Sequence, residues 1–254
     1  MGFPHATAML AGGSGADYAA ALAAVTNKTL ILDASAGAGT AGQALSTTNL
    51  NNTGSAGGSF RGAAKWRGVG NGQNGLNTVL VDSSGTSMQD GSNNPAVNTL
   101  ISTVAFTAFL VCKINRPTDT TTRWMDNGGI INGWAPFQQQ GSGRKIHSDF
   151  RQDYGTTITQ DWGSETYTNN VAMVLAIRCN SGGTFRWNKD GTTGSLSGTK
   201  TDGYDQNTNR LQFYPYNSDS DSFEFCEAVI SSSDQTDQVM DALVLAMKAK
   251  WGIT

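Results

Sequence analysis

Apolar residues alternate with small or polar ones most persistently over Val104–Ile114 and Asn170–Cys179. In the first run Phe106, Ala108, Leu110, Cys112 and Ile114 share one face, while Phe109 and Val111 make the other face apolar as well. Side chains of a strand point alternately to its two faces, so this pattern predicts a central strand covered on both sides. Phe106 and Leu110 are its structural anchors. In the second run Val171, Met173, Leu175 and Ile177 alternate in the same way. The two runs are expected to stack face to face as the middle of a sandwich. Shorter strands are predicted at Thr29–Asp33, Thr78–Asp82, Thr184–Asn188, Leu211–Tyr214 and Phe223–Ile230. Lys189-Asp190-Gly191 supplies a hairpin turn, because Asp-Gly tolerates the positive φ angles of a tight two-residue loop.

Only the two ends of the chain carry a helical period. Val239, Leu243, Met247 and Trp251 recur every four residues and form one apolar stripe. Ser232 and Ser233 offer a cap, Asp234 and Asp237 suit the first turn, Lys248 and Lys250 suit the last, and Gly252 stops the helix. Near the start, Ser14 and Asp17 introduce a short Ala-rich helix with Tyr18, Leu22 and Val25 on one side. It is too short to be stable alone and must dock, and another subunit is one candidate for its partner. Residues 34–75 are Gly-, Ala-, Ser-, Thr- and Asn-rich around Trp66, and are expected to run over the surface. Residues 117–168 hold three Trp among polar residues and are expected to form loops and short hairpins. No internal repeat is found.

Composition narrows the class. Gly accounts for 31 of 254 residues and charged residues for only 15%, which favours many turns between short strands. The net charge is −3, with no Lys/Arg cluster, so no nucleic-acid partner is expected. No apolar run reaches the length of a membrane span, and no secretion signal is seen. Cys112, Cys179 and Cys226 are odd in number and far apart, and with only His5 and His147 beside them a zinc site is not expected. Cys112 and Cys226 lie in apolar runs and read as buried free thiols of a chain made in a reducing cytoplasm.

Four segments in order resemble the concanavalin A-like, laminin-G-like domains found in bacteriophage and bacterial surface proteins. Leu30-Ile-Leu-Asp-Ala34 is similar to their opening strand, and Phe106-Thr-Ala-Phe-Leu-Val111 to their central one. Phe185-Arg-Trp-Asn-Lys-Asp-Gly191 resembles a strand with its Asp-Gly turn. Glu227-Ala-Val-Ile230 and Lys250-Trp-Gly-Ile253 resemble the closing strand and helix, which makes Glu227 and Trp251 structural. The resemblance covers residues 29–254 and implies an all-β, two-sheet antiparallel jelly-roll sandwich with a C-terminal helix. Residues 1–28 are then a separate arm for assembly or docking.

The fold class alone does not fix a function. Glycan-cleaving relatives carry two carboxylates on one face of a strand. Glu224 and Glu227 are three apart and are expected on opposite faces, and no nucleophile motif occurs, so no catalytic residue is assigned. Gly70-Asn-Gly72-Gln-Asn-Gly75 has dinucleotide-loop spacing but precedes a strand, so no cofactor is expected. Asp205, Asn207, Asp219 and Asp221 are weak calcium candidates, otherwise solvated turns. Trp124, Trp134, Tyr154 and Trp162 are the candidates for stacking on sugar rings, against the alternative that they pack the core.

The leading expectation is a non-catalytic bacteriophage virion protein, displayed on the particle exterior as a head decoration or a tail or fibre component. Its partners would be other virion proteins or copies of itself, and host surface glycan. A glycan-binding adhesin module is the alternative, and a polysaccharide-cleaving hydrolase or lyase the second.

Overall fold

A computed structural model describes residues 15–82, 87–91, 94–98, 105–115, 122–127, 134–139, 143–152, 156–200, 210–214 and 222–254. In chain order, α1 (Gly15–Ala24) leads into β1 (Lys28–Asp33). The short strands β2 (Leu50–Asn51), β3 (Ser59–Arg61), β4 (Lys65–Trp66), β5 (Val79–Val81) and β6 (Met88–Asp90) follow, then a four-residue helix α2 (Pro95–Asn98). Longer strands come next: β7 (Phe106–Asn115), β8 (Thr122–Asp126), β9 (Trp134–Gln139), β10 (Lys145–Gln152), β11 (Thr156–Thr166) and β12 (Ala172–Cys179). β13 (Phe185–Lys189), β14 (Thr192–Leu196), β15 (Gln212–Phe213), β16 (Ser222–Ser231) and α3 (Asp237–Trp251) complete the order.

The strands form two antiparallel sheets of eight. The first runs β14-β13-β12-β7-β16-β5-β4, with β1 also paired to β16, and the second runs β11-β10-β9-β8-β15-β6-β3-β2. This is a jelly-roll-type sandwich with one helix at each end of the chain. Its main core lies between the sheets and takes Phe106, Ala108, Leu110, Cys112 and Ile114 from β7, with Met173, Leu175 and Ile177 from β12. The other face of β7, Phe109 and Val111, joins Val174 and Ala176 in a second core under α3. A helix on one side and a sheet on the other explain why β7 is apolar on both faces.

β7 and β12 do not stack face to face as the sequence suggested. They are hydrogen-bonded neighbours in one sheet, with Leu110 opposite Leu175 and Cys112 opposite Met173. Alternation reports which residues share a face but not whether two strands are paired or stacked. Val171 precedes β12 and is 53% exposed. The stretch after β7 also differs from expectation: its described strands β8 to β11 are neighbours in the second sheet, and Arg123, Gln138, His147 and Asp149 on their outward side masked the alternation.

α3 begins at Thr236, whose side chain accepts from the Val239 N–H, and not at Ser232 or Ser233. Ser233 is occupied elsewhere, its Oγ accepting from the Gln235 side-chain amide at 2.9 Å. Asp234 and Asp237 meet Arg178 instead of only facing the helix dipole. The buried stripe is broader than expected, adding Met240, Val244 and Ala246 to Leu243, Met247 and Trp251. Gly252 closes the helix in the left-handed region at φ 63. The Gly70–Gly75 loop caps this same end, since Gln73 donates to the Trp251 carbonyl at 2.9 Å and Asn74 to the Lys250 carbonyl at 3.0 Å.

α1 docks within its own chain. Tyr18, Ala21 and Leu22 pack against the core under α3. Ser14, its expected cap, lies outside the described residues. All three cysteines are buried free thiols, and burial pushes each of them up, Cys179 to about 12.

Candidate functional site

Three Trp residues singled out as sugar platforms are in the core. Trp124 and Trp162 have no exposure and Trp134 has 2%. Trp162 stacks on Trp187 of the opposite sheet with centroids 5.4 Å apart, and Trp124 meets Tyr167 edge-on at 5.3 Å. Their faces are spent on packing, which large rings reward most when fully buried. Tyr154, Asp205, Asn207, Asp219 and Asp221 lie outside the described residues. Among the described residues, no group of three or more His, Cys, Asp or Glu could hold a metal ion.

Glu224 and Glu227 also depart from expectation. The pairing of β16 with β7 shifts register between Phe225 and Glu227, a bulge that inserts one residue. Phe223, Phe225, Ala228 and Ile230 remain in the core between the sheets, while Cys226 and Val229 face α3. Both glutamates therefore lie on the helix side. Neither is open to a substrate. Glu224 is 4% exposed and bonds Lys113 Nζ at 2.7 Å and Thr78 Oγ1 at 2.8 Å. Glu227 is fully buried and accepts from Lys250 Nζ at 2.9 Å, Trp251 Nε1 at 2.8 Å and the Tyr18 hydroxyl. Burial pushes its carboxyl up against the opposing pull of Lys250. Burial and the neighbouring Glu227 raise the Tyr18 phenol, so it stays a neutral donor.

The outward side of the second sheet carries a polar layer that the sequence did not reveal. His147 and Asp149 alternate with the core residues Ile146 and Phe150 on β10, and so share that side. Arg123 reaches Asp126 at 3.4 Å and Asp149 at 3.9 Å. His147 is 3% exposed and its Nδ1 lies 2.9 Å from Asp161. Burial lowers the His147 imidazole despite that carboxylate, so the neutral ring donates from Nδ1 and leaves Nε2 as a buried acceptor. With Asp126 and Asp149 at 1% and 6% exposure, the layer is closed to a ligand of sugar size.

An open cleft of about 570 Å³ lies elsewhere, between α1, β1 and residues 48–53. Tyr18, Leu22, Ile31, Leu50, Asp33 and Asn51 are among its lining residues. That volume is in the ordinary range of a small-molecule site. One wall is fixed by Asn52, whose side chain accepts from the Ile31 N–H at 2.9 Å and the Gly54 N–H at 2.8 Å. The same side chain donates to the Thr29 and Gly57 carbonyls. Trp66 fixes the other end by donating to the Thr48 carbonyl at 3.0 Å. Its ring lies so close to Gly37 and Gly39 that any Cβ there would fall about 2 Å from ring carbons. Glycine is required here for space.

The floor is electrostatic. Asp33 accepts from the Ser35 N–H at 3.0 Å and from Lys250 Nζ at 2.7 Å. Lys250 lies 4.3 Å above the Tyr18 ring. Asn49, Asn51 and Thr53 are exposed and line the cleft, and no group within the described chain bonds their side chains. The sequence signalled this site only through the length of the Gly- and Asn-rich excursion.

No protein-family model matches the chain, and no curated protein does either. Solved structures do. The binding domain of botulinum neurotoxin DC in complex with SialylT matches at TM-score 0.64 and 13% identity, over 90% of this chain and 55% of that one. The same domain in complex with rat synaptotagmin II matches at 0.60 and 14%, over 89% and 55%. The binding domain of Paraclostridial Mosquitocidal Protein 1 matches at 0.62 and 10%, over 86% and 52%. At such identities the likeness is one of fold. The chain spans about half the length of each of these domains.

Proposed function

We propose that this protein is a non-catalytic glycan-binding module whose ligand site is the cleft between α1, β1 and residues 48–53. The observation that carries the reading is the juxtaposition there of an aromatic ring, Tyr18, with the unpartnered amides of Asn49 and Asn51 and the hydroxyl of Thr53. Sugars offer apolar C–H faces and hydroxyls that both donate and accept. Rings and amides meet both needs. Two of the similar structures are complexes, one with SialylT and one with rat synaptotagmin II, which supports a role in surface recognition. Burial of Glu224 and Glu227 inside ion pairs argues against their use as an acid and base.

The test is calorimetry of the purified full chain against a panel of bacterial and animal oligosaccharides. A saturable ligand is expected, and the Asn49→Ala/Asn51→Ala double variant should weaken it about thirtyfold, since each of the two lost hydrogen bonds is worth roughly 1 kcal/mol. A Leu245→Ser control on the exposed side of α3 should bind like the parent. Release of product from any polysaccharide in the panel would favour a hydrolase or lyase instead.

A second reading places the module on the outside of a bacteriophage particle, as a head decoration, tail or fibre component that holds other virion proteins or copies of itself. It is favoured by the three buried free cysteines, which suit synthesis in a reducing host cytoplasm before display. Labelling of intact particles by an antibody against the chain is its test.

A further inference from the structure

We infer that the cleft selects uncharged sugars and turns away sialylated and other anionic ones. This rests on the glycan-binding reading and specifies its ligand. Among the described residues lining the cleft, none is Lys, Arg or His, and one, Asp33, is a carboxylate. Lys250 adjoins the cleft through Asp33 and Tyr18, and its charge is already spent. It sits 2.7 Å from Asp33 and 2.9 Å from Glu227, over the ring of Tyr18. Two carboxylates against one ammonium leave this group with an excess of negative charge.

An incoming sugar carboxylate would lose its hydration beside Asp33, and no described lining residue is a cation that could replace it. Desolvating an unpaired charge costs far more than a lost hydroxyl contact. Like-charge juxtaposition adds to that cost and acts against the wrong partner before contact. Acid recognition normally uses the arginine fork or a point ammonium, and neither is found among the described lining residues. What the cleft does offer is two primary amides, a hydroxyl and an aromatic ring. Each can donate to, accept from or pack on a neutral sugar without burying charge.

The experiment compares paired probes on the full chain by calorimetry. Lactose, maltose, cellobiose and N,N′-diacetylchitobiose serve as uncharged ligands, and 3′-sialyllactose and hyaluronan fragments as anionic ones. We expect at least one uncharged probe to bind ten times more tightly than either anionic one. Its affinity should not change between 20 and 500 mM salt, because no ion pair is formed (about 20 Å down to about 4 Å of screening length). Thr53→Lys, an exposed position on the rim, should narrow that preference at least threefold by supplying the missing cation. Equal or tighter binding of 3′-sialyllactose by the parent chain would overturn the inference while leaving the glycan-binding reading intact. So would a preference that Thr53→Lys leaves unchanged, since it would then be set outside this cleft. If no probe binds at all, the glycan-binding reading itself fails, and the inference with it.

Discussion

Trp251 donates its indole N–H to Glu227 at 2.8 Å, with both residues fully buried. One bond thus ties the last turn of α3 to the middle of β16, and Lys250 and Tyr18 converge on the same carboxylate. Removing that carboxylate strands a buried indole N–H and a phenol, and leaves Lys250 with Asp33 alone. Glu227→Ala should lower the unfolding free energy by about 3–5 kcal/mol in urea denaturation. Trp251→Phe, which deletes the donor and leaves the carboxylate its other partners, should cost only about 1–2 kcal/mol. Equal effects of the two would show that ring packing, and not the buried polar junction, dominates.

Arg178 and Arg186 stand directly opposite each other on β12 and β13. Like charges in that position repel. Asp234, Asp237 and Asp241, all from the start of α3 or just before it, offset the repulsion. In a double-mutant cycle, Asp237→Asn should therefore destabilise the parent by about 1 kcal/mol and the Arg186→Met background by less, after allowance for solvent screening at these half-exposed groups. Additive effects would contradict the clamp.

His147 gives a pH dependence with a definite sign. Burial holds its folded-state pKa below the usual 6.5, so the unfolded chain takes up the proton first. The stabilisation is complete above that value and fades as pH falls through it towards the lower folded value. Asp161 adds loss in the same direction in more acid solution. Burial raises its carboxyl, but His147 and Lys145 outweigh that and hold it below its usual 3.8. Urea midpoints measured between pH 8 and 5 should drop in the parent and drop less in His147→Gln.

Cys112, Cys179 and Cys226 are buried, with their thiols pushed up by burial. Ellman's reagent should label none of them within minutes in buffer at pH 8, and all three on unfolding in guanidinium. Rapid native labelling of one thiol would place it at an open surface.

Gly39 leaves no room for a side chain beside Trp66. Gly39→Ala should cost about 1–3 kcal/mol through overpacking. By displacing the ring that anchors the Thr48 carbonyl, it should also weaken any ligand of the cleft. Unchanged stability and binding would show that the 34–50 segment yields freely.

Much of the architecture was legible. The two apolar faces of β7 follow from Phe106 to Ile114, the Asp190-Gly191 turn from φ angles of 52 and 103 that few other pairs accept, and α3 from its four-residue stripe. The second sheet was harder to read. Gln138, His147 and Asp149 are polar yet buried and Arg123 is partly buried, so polarity no longer marked the exposed face. The three Trp of residues 117–168 likewise could be core or platform, since ring chemistry is the same in both places.

Composition and periodicity thus determined by themselves a turn-rich β protein, the sidedness of its most regular apolar strands and its closing helix, while the antiparallel two-sheet sandwich came from the resemblance. Short-range sterics and the burial of apolar surface fix those locally. Only the tertiary structure decided that a bulge in β16 turns Glu224 and Glu227 to one side, and that the open cleft draws its walls from α1, β1 and residues 48–53. A period of two loses its meaning once one residue is inserted. The cleft, in turn, depends on bonds such as Asn52 to Ile31 and Lys250 to Asp33, which join residues 21 and 217 positions apart.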